Sequence, residues 1–310
     1  IMATSESGIA NAVSLNGFHG VSFTNTGDII AIGDNTVAIS SNLEQYTYYG
    51  TDIVNKGKIH GGILTGAGDD MLQNDASGSI FLSDSTIDLG DGENAFVNLG
   101  ELFADGDANL INIGAGNLFT NNGNSIHMDD GAADDSLTIV GDFNGTGGVF
   151  VDVDGANLTS DTLLIDGNVL AGTANTVSIN FVTPVDFSDI TNGSEITIIS
   201  VTGNSTASNF VLNPIVGGAN GLYTFDYSLN YSQGDYSLAF DFGMSGLGAL
   251  ATTLSPALQS IWYNSMGTVY QREGSARSFL GQGEDSGGGV WTRVYGADGS
   301  YVPDATKNNF

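Results

Sequence analysis

Short apolar segments alternate with polar turns along the first 240 residues of the chain. Each segment alternates apolar and polar positions and is bounded by Gly, Asn or Asp. Examples are Val21–Phe23, Thr36–Ile39, Ser79–Leu82, Thr86–Leu89 and Leu110–Ile113. No helical pattern of about ten or more residues separates them, as βαβ units would require. The pattern therefore predicts many short strands without intervening helices.

A turn that contains Asn and Gly recurs just before these segments, at unequal spacing. It is found at Asn25-Thr-Gly, Asn55-Lys-Gly, Asn98-Leu-Gly and Asn122-Gly-Asn. Strands this short cannot bury an apolar face alone, whereas stacked rungs join inward Ile, Leu and Val side chains into one core. We therefore predict an all-β fold, a right-handed parallel β-helix (solenoid), with Asn or Gly at its corners. Rungs of about 20 to 25 residues would give about ten rungs over residues 1–240. A β-sandwich of short strands is the alternative.

The predicted strands become longer and more apolar after Asp135. The segments concerned cover residues 136–143, 147–153, 160–167, 196–201 and 236–242. Because longer apolar strands bury more surface in each rung, we expect this part of the solenoid to be its most stable part.

A different pattern begins at Leu247. Apolar residues recur at steps of three and four as far as Met266, which is the spacing of one helix face. Ser255 followed by Pro256 is typical of an N-cap and the first helical position, so we expect a helix from about Pro256 to Met266. Residues 271–289 are rich in Gly, Ser and Gln and are predicted to be a linker.

The net charge of the chain limits the classes of molecule that it can be expected to bind. The 310 residues carry a formal net charge of −29, and the only basic residues before Arg272 are Lys56 and Lys58. Nucleic acid is therefore not expected as a partner, because phosphate binding relies on Lys and Arg. The absence of cysteine suits a protein that is exported unfolded but fits a cytosolic protein equally well. Ile1–Glu6 lacks the features of a signal peptide, so we expect that a signal was removed or that the chain is an internal fragment.

Three segments follow one another between residues 137 and 167. They are Leu137–Phe143, with the pattern Leu-x-x-x-Gly-x-Phe, then Val149–Val153, and then the Ser-Asp-x-Leu stretch Ser160–Gly167. In this order they resemble the conserved C-terminal stretch of pertactin-like passengers. Trp291-Thr-Arg293-Val-Tyr-Gly296 is similar to the first strand of the translocator in the same family, the bacterial autotransporters of type V secretion. The chain departs from the family at Met128–Ala133, where many relatives carry a Ser-Pro-Gly turn. The resemblance also implies a translocator barrel of about 250 further residues, which we expect to be missing from this chain.

The resemblance implies four regions. These are β-helix passenger rungs at 1–130, an autochaperone-like cap at 131–243, a linking helix and linker at 244–289, and the first strand of a truncated outer-membrane barrel at 290–310. It implies roles in folding and translocation for Phe143, Asp161, Leu163, Gly167, Trp291, Arg293 and Gly296.

The resemblance also implies a function and a location. We expect a structural or adhesive passenger, surface-exposed or secreted by a Gram-negative bacterium through the periplasm, whose C-terminal region promotes folding and secretion. Its partners would be the outer membrane, through the missing barrel, and a host protein or glycan. Roles in virulence follow from the same resemblance.

Acidic clusters favour one alternative, a calcium-binding β-roll or surface-layer protein. Gly66-Ala-Gly-Asp69-Asp70 and Asp91-Gly-Glu93 contain half of a calcium-binding nonapeptide, which makes Asp69, Asp70, Asp91 and Glu93 calcium candidates. Asp129-Asp130 with Asp134-Asp135 forms a third cluster. The nonapeptide is not repeated in tandem, so solvated corner residues are the preferred interpretation and no cofactor other than Ca²⁺ is expected.

The other alternative is a secreted polysaccharide-active β-helix enzyme, either a polysaccharide lyase or a glycoside hydrolase. A lyase needs Arg or Lys in its groove, and residues 59–271 contain neither. The three histidines, His19, His60 and His127, are far apart and lack a Gly-x-Ser-x-Gly elbow, so we expect them at the surface. The sequence therefore predicts that the chain is not an enzyme.

Overall fold

The computed structural model describes residues 1–4, 10–16, 19–33, 36–41, 49–123, 125–183, 194–213, 219–220 and 223–279. Within these residues the chain forms 27 strands and one helix, and the strands belong to three sheets.

Sheet A consists of β1 (Met2–Thr4), β4 (Asp28–Ile32), β7 (Lys58–His60), β10 (Ser79–Ser83), β13 (Glu101–Asp105), β16 (Ser125–Met128), β19 (Gly148–Asp154), β22 (Asn175–Thr183) and β24 (Phe210–Leu212), with the short β20 (Thr159–Ser160) beside β19. Sheet B consists of β2 (Ala10–Leu15), β5 (Thr36–Ser41), β8 (Gly62–Leu64), β11 (Thr86–Asp88), β14 (Asn109–Asn112), β17 (Ser136–Val140), β21 (Thr162–Asp166), β23 (Glu195–Val201), β27 (Asp235–Met244), β26 (Tyr223–Ser232) and β25 (Ala219–Asn220). Sheet C consists of β3 (Val21–Asn25), β6 (Thr51–Asn55), β9 (Met71–Asn74), β12 (Ala95–Asn98), β15 (Leu118–Asn121) and β18 (Asp142–Gly145).

One rung of the fold is a strand of sheet C followed by one of sheet A and one of sheet B. Each strand pairs in parallel with its counterpart in the next rung, so the fold is a parallel β-solenoid of about six turns. The predicted parallel β-helix is confirmed, but the expected ten rungs are wrong. Successive rungs are offset by 30 residues between Val21 and Thr51 and by 19 between Asp52 and Met71. After β19 four strands are longer than those of the regular rungs before it: β22 has 9 residues, β23 has 7, and β26 and β27 have 10 each.

Alternation within each strand builds the core. In sheet A, every second residue of each strand points inward, and the inward positions stack in register from rung to rung. The resulting column is fully or almost fully buried and comprises Ile29, Ile59, Ile80, Leu102, Ile126, Val149 and Val177. Because each side chain covers the one above and below it, three- to five-residue strands bury an apolar face that none could bury alone.

In sheet B, parallel pairing ends at β23. Strand β27 runs antiparallel to β23, with Glu195 opposite Ala239 and Ile196 opposite Leu238. The outer edge of a terminal rung exposes unpaired backbone groups, and an antiparallel strand laid against it satisfies them.

Helix α1 spans Gly246–Phe279, so the predicted bounds of 256–266 are wrong at both ends. The N-cap of the helix is Ser245, whose Oγ accepts the N–H of Gly248 at 3.1 Å, and not Ser255. Pro256 lies inside the helix, and residues 271–279, which were predicted to be linker, are helical. None of the helices in the described part of the chain has the length and apolarity needed to cross a membrane.

The structure separates into two compact units. The first contains Ile1–Ile215 and Tyr227–Phe240 and holds the solenoid, and the second contains Val216–Asp226 and Asp241–Phe310 and holds α1. The four-region division made from the sequence stays a prediction. Trp291, Arg293 and Gly296 lie outside the described residues.

Candidate functional site

A ladder of asparagines runs along the corner between sheets C and A. The side-chain amide of Asn25 donates to Asn55, and the same bond repeats from rung to rung, with N···O distances of 2.8 to 3.0 Å. The ladder consists of Asn25, Asn55, Asn74, Asn98 and Asn121, which occupy one register position. Of the four Asn–Gly turns found in the sequence, three begin with a member of it. The fourth begins with Asn122, but the ladder residue is its neighbour Asn121, and Asn74 was missed.

A second ladder is made of rings on the outer face of sheet A. The rings stack nearly parallel, with centroids 4.3 to 4.9 Å apart and interplanar angles of 3 to 19°. Its members are His60, Phe81, Phe103, His127 and Phe150, all half-buried. Because neighbouring rings cover one another's faces, the ladder presents ring edges to solvent along most of its length.

Two histidines that were expected at the surface lie in the ring ladder. The ring nitrogens of His127 lie 2.8 Å from Glu101 Oε2 and 2.9 Å from Asp129 Oδ1. Burial, followed by the charge of Lys58, lowers the pKa of His60, although Asp28 opposes this effect. A neutral His60 can stack on Phe81 without desolvating a charge.

The ring ladder borders a cleft at the corner between sheets A and B. This corner is short in the second rung, where Gly61 alone joins β7 to β8 with a φ of 107°. The cleft has a volume of about 830 Å³. Its walls include apolar, aromatic and acidic side chains, among them Ile32, His60, Leu64, Phe81, Asp84 and Asp105. Two of these, Ile32 and Leu64, are exposed apolar side chains, so the cleft offers both apolar surface and hydrogen-bond acceptors.

Buried aspartates occupy the same A-to-B corner further along the solenoid. Asp161 is fully buried, and its two carboxylate oxygens accept the N–H groups of Asp135 and Asp152. Asp135 accepts the N–H of Gly106 at 2.5 Å, and Asp152 accepts that of Gly131 at 2.6 Å. These bonds hold the corner loops of three rungs together.

Burial raises the pKa of each of these carboxyls above the usual aspartate range. Burial, together with the charges of Asp135 and Asp152, raises the pKa of Asp161 to about 8, although two backbone N–H groups favour its ionised form. Burial raises the pKa of Asp135 to about 6, with further contributions from the charges of Asp130 and Asp105. Burial likewise raises the pKa of Asp152. A proton or a cation would therefore stabilise this corner.

The calcium candidates of the sequence lie at a different corner, between sheets B and C. Asp70 is buried and accepts the N–H of Thr51 at 2.5 Å, while Asp69 accepts the N–H of Glu93 at 2.9 Å. Asp91 and Glu93 are exposed. Among the described residues, these four do not form a group of three or more ligand atoms within 4.8 Å of one another, whereas Asp105, Asp130 and Asp135 do. Calcium binding at the four candidates stays the less favoured of the two interpretations, and solvated corner residues stay the prediction.

The residues assigned to folding lie where the regular rungs meet the terminal strands. Phe143 is buried between the rings of Phe119 and Phe210, at centroid distances of 5.4 and 5.8 Å. Leu163 is buried between Leu137 and Ile199 of the neighbouring strands.

Gly167 and Asp161 complete this set of folding residues. A Cβ at Gly167 would lie 2.1 Å from the carbonyl oxygen of Gly141, so any other residue would separate the two rungs. Asp161 carries the corner bonds described above. All four described residues are thus tightly packed, and their role in folding stays a prediction.

Comparison with known proteins shows a partial similarity. No protein-family model matches the chain. A probable autotransporter, YfaL, from Escherichia coli strain K12 is 31% identical over 151 residues. The match covers 39% of this chain, and it spans only 12% of the length of that relative. The chain is therefore distantly similar to an autotransporter over part of its length, and its β-solenoid is consistent with an autotransporter passenger.

Proposed function

We propose that this chain is part of an autotransporter passenger, which displays an adhesive β-solenoid at the surface of a Gram-negative bacterium. The parallel solenoid of about six turns is the observation that carries the proposal. Its rungs are joined by polar and aromatic ladders, which suits a stiff support that holds binding surfaces away from a cell. The partial similarity to a probable autotransporter supports the same function.

The cleft beside the ring ladder is the surface that we assign to adhesion. Its acidic walls include Asp84 and Asp105, and its described lining contains no Lys or Arg. Such a surface disfavours polyanionic ligands, so the proposed ligand is a neutral or cationic group on a host protein or glycan. The edges of the rings and the exposed Leu64 would supply apolar contact.

Surface display is tested on cells that produce the native protein. Antibodies raised against the purified 310-residue chain should label intact cells, and protease added outside should remove the label. Label that requires permeabilised cells would contradict the proposal. A cytoplasmic marker in the same cells controls for lysis.

Adhesion is tested with a matched pair of variants. Leu64, a residue that is 36% exposed, lies in the cleft, and Met71, which is 39% exposed, lies on sheet C. Leu64→Thr should reduce binding of the purified chain to host cells, whereas Met71→Thr should not, because Met71 is not among the residues that line the cleft. The two variants are matched, since each replaces an exposed apolar side chain of a strand with threonine. Equal binding by the two variants would contradict the assignment of the cleft.

We further propose that residues 131–243 promote folding of the passenger, because the long buried strands and the ring contacts of Phe143 lie there. Hydrogen exchange at rising denaturant should leave the backbone amides of β17, β19 and β21 protected after those of β4, β7 and β10 have exchanged. Simultaneous loss of protection in all six strands would contradict a separate stable region.

A further inference from the structure

The corner that joins β16 to β17 is rich in carboxylates. Four aspartates, Asp129, Asp130, Asp134 and Asp135, lie in its seven residues. Asp105 ends β13 in the preceding rung and faces the same corner. One carboxylate oxygen from each of Asp105, Asp130 and Asp135 lies within 4.8 Å of the other two. Three acidic side chains from two rungs thus converge on one place.

One of these carboxylates has a buried oxygen without a partner. Asp135 is only 3% exposed. It accepts the N–H of Gly106 at 2.5 Å, but its Oδ2 is buried and receives no hydrogen bond within the described structure. Leaving such an atom unpaired costs free energy, and the cost is larger for a charged group. A cation in contact with Oδ2 would remove this cost.

Within the described structure, no Lys or Arg acts on the carboxyl of Asp105 or of Asp135, whereas His127 acts on that of Asp105. Residues 59–271 contain neither Lys nor Arg. The nearby His127 lies with one ring nitrogen against Glu101 and the other against Asp129. Because His127 is already shared by Glu101 and Asp129, a further positive charge would come from solution, and the exposed Asp130 gives solvent access to the group.

We propose that Asp105, Asp130 and Asp135 form a binding site for Ca²⁺. The donor set contains only oxygen, which selects a hard cation over zinc or copper. Calcium accepts irregular sets of six to eight oxygens, whereas magnesium requires a near-octahedral arrangement, so backbone carbonyls of the corner and water can complete a calcium shell. Bound calcium would tie the β16–β17 corner to the end of β13.

The test uses the full chain freed of metal by a chelator and titrated with CaCl₂ in a calorimeter. We expect one calcium ion per chain and a melting temperature that rises with calcium concentration. Asp130→Asn keeps an oxygen for its hydrogen bond with the N–H of Ala132 and should still fold, but its calcium affinity should fall about tenfold or more. Asp135→Asn keeps an acceptor for the N–H of Gly106 and should have the same effect.

Asp91→Asn is the matched control, since it removes the same charge from an exposed calcium candidate at the other corner. It should bind calcium as the wild type does. Absence of both heat and a melting shift at millimolar calcium would overturn the proposal. So would loss of binding in Asp91→Asn with retention in Asp130→Asn, which would place the ion at the corner between sheets B and C that holds Asp70 and Asp91. An equal melting shift in wild type and Asp130→Asn, reproduced by NaCl, would show charge screening without a site.

Discussion

Replacing Asn74 with Asp tests whether the asparagine ladder holds the rungs together. Asn74 is fully buried. Its amide nitrogen donates to Asn98 Oδ1 at 2.8 Å and to the carbonyl oxygen of Glu101 at 3.0 Å, and its oxygen accepts the amide of Asn55 at 2.9 Å. Aspartate has the same shape but places an acceptor where the amide donates. Both donated bonds therefore become contacts between acceptors, while the accepted bond remains.

The expected loss of stability is large. A buried group left without its partner costs about 1–3 kcal/mol, so the two lost bonds cost about 2–6 kcal/mol before any penalty for burying a charge. Burial should raise the pKa of the new carboxyl above its unfolded value. Stability is then lost as pH rises through the folded pKa. Part of it is regained as the pH falls back through the folded pKa, where the carboxyl becomes protonated and can donate one bond, and the recovery is complete below about pH 4.

Urea unfolding followed by circular dichroism at pH 7 and pH 3.5 measures both effects. Gln73→Glu is the control, because the neighbouring side chain points outward from the same strand and undergoes the same change from amide to carboxylate. If Asn74→Asp and Gln73→Glu unfold at the same urea concentration at pH 7, the ladder has no net stabilising effect and the reasoning is refuted.

Three further changes test other parts of the structure. Burial raises the pKa of Asp70, so the protonated carboxyl stabilises the fold at low pH, and this stabilisation is lost as the pH rises through the raised pKa. Asp70→Asn keeps the acceptor for the Thr51 N–H, so the variant should unfold at a higher urea concentration than wild type at pH 7 and at the same concentration near pH 3. Phe119→Ala should cost about 3–5 kcal/mol in urea unfolding because the ring is fully buried, and Phe103→Ala on the outer face should cost clearly less. Pro256→Ala should increase helix ellipticity at 222 nm, since proline inside a helix is about 3 kcal/mol less favourable than alanine.

The strands and the core were predictable from the sequence, but the rung count was not. Alternation within a few residues decides which side chains point inward, and Ile80 and Leu82 show it in one five-residue strand. Rung length depends on how much chain each corner consumes. The corner between β7 and β8 consists of the single residue Gly61, whereas the corner between β16 and β17 consists of seven residues. A local pattern does not distinguish a long corner from a further rung.

Membership of the ladders could be predicted only in part. An Asn–Gly turn is visible in the sequence, yet the register of strand pairing decides whether Asn121 or Asn122 meets Asn98. The ring ladder joins residues 21 to 24 positions apart, such as Phe81 to Phe103 and Phe103 to His127, and no local signal marks them. The helix was placed too short because Ser255-Pro256 fits a helix start locally, while the cap that forms is Ser245.

The asparagine corner between sheets C and A differs from the aspartate corner between sheets A and B in how its side chains interact from rung to rung. An asparagine side chain carries both a donor and an acceptor, so identical residues at one register position satisfy one another from Asn25 to Asn121. An ionised aspartate is an acceptor only, and aspartates in neighbouring rungs repel one another. The corner that holds Asp135 and Asp161 must therefore take up protons or a cation, and pH and calcium should act on the solenoid there, whereas neither should act on the asparagine ladder.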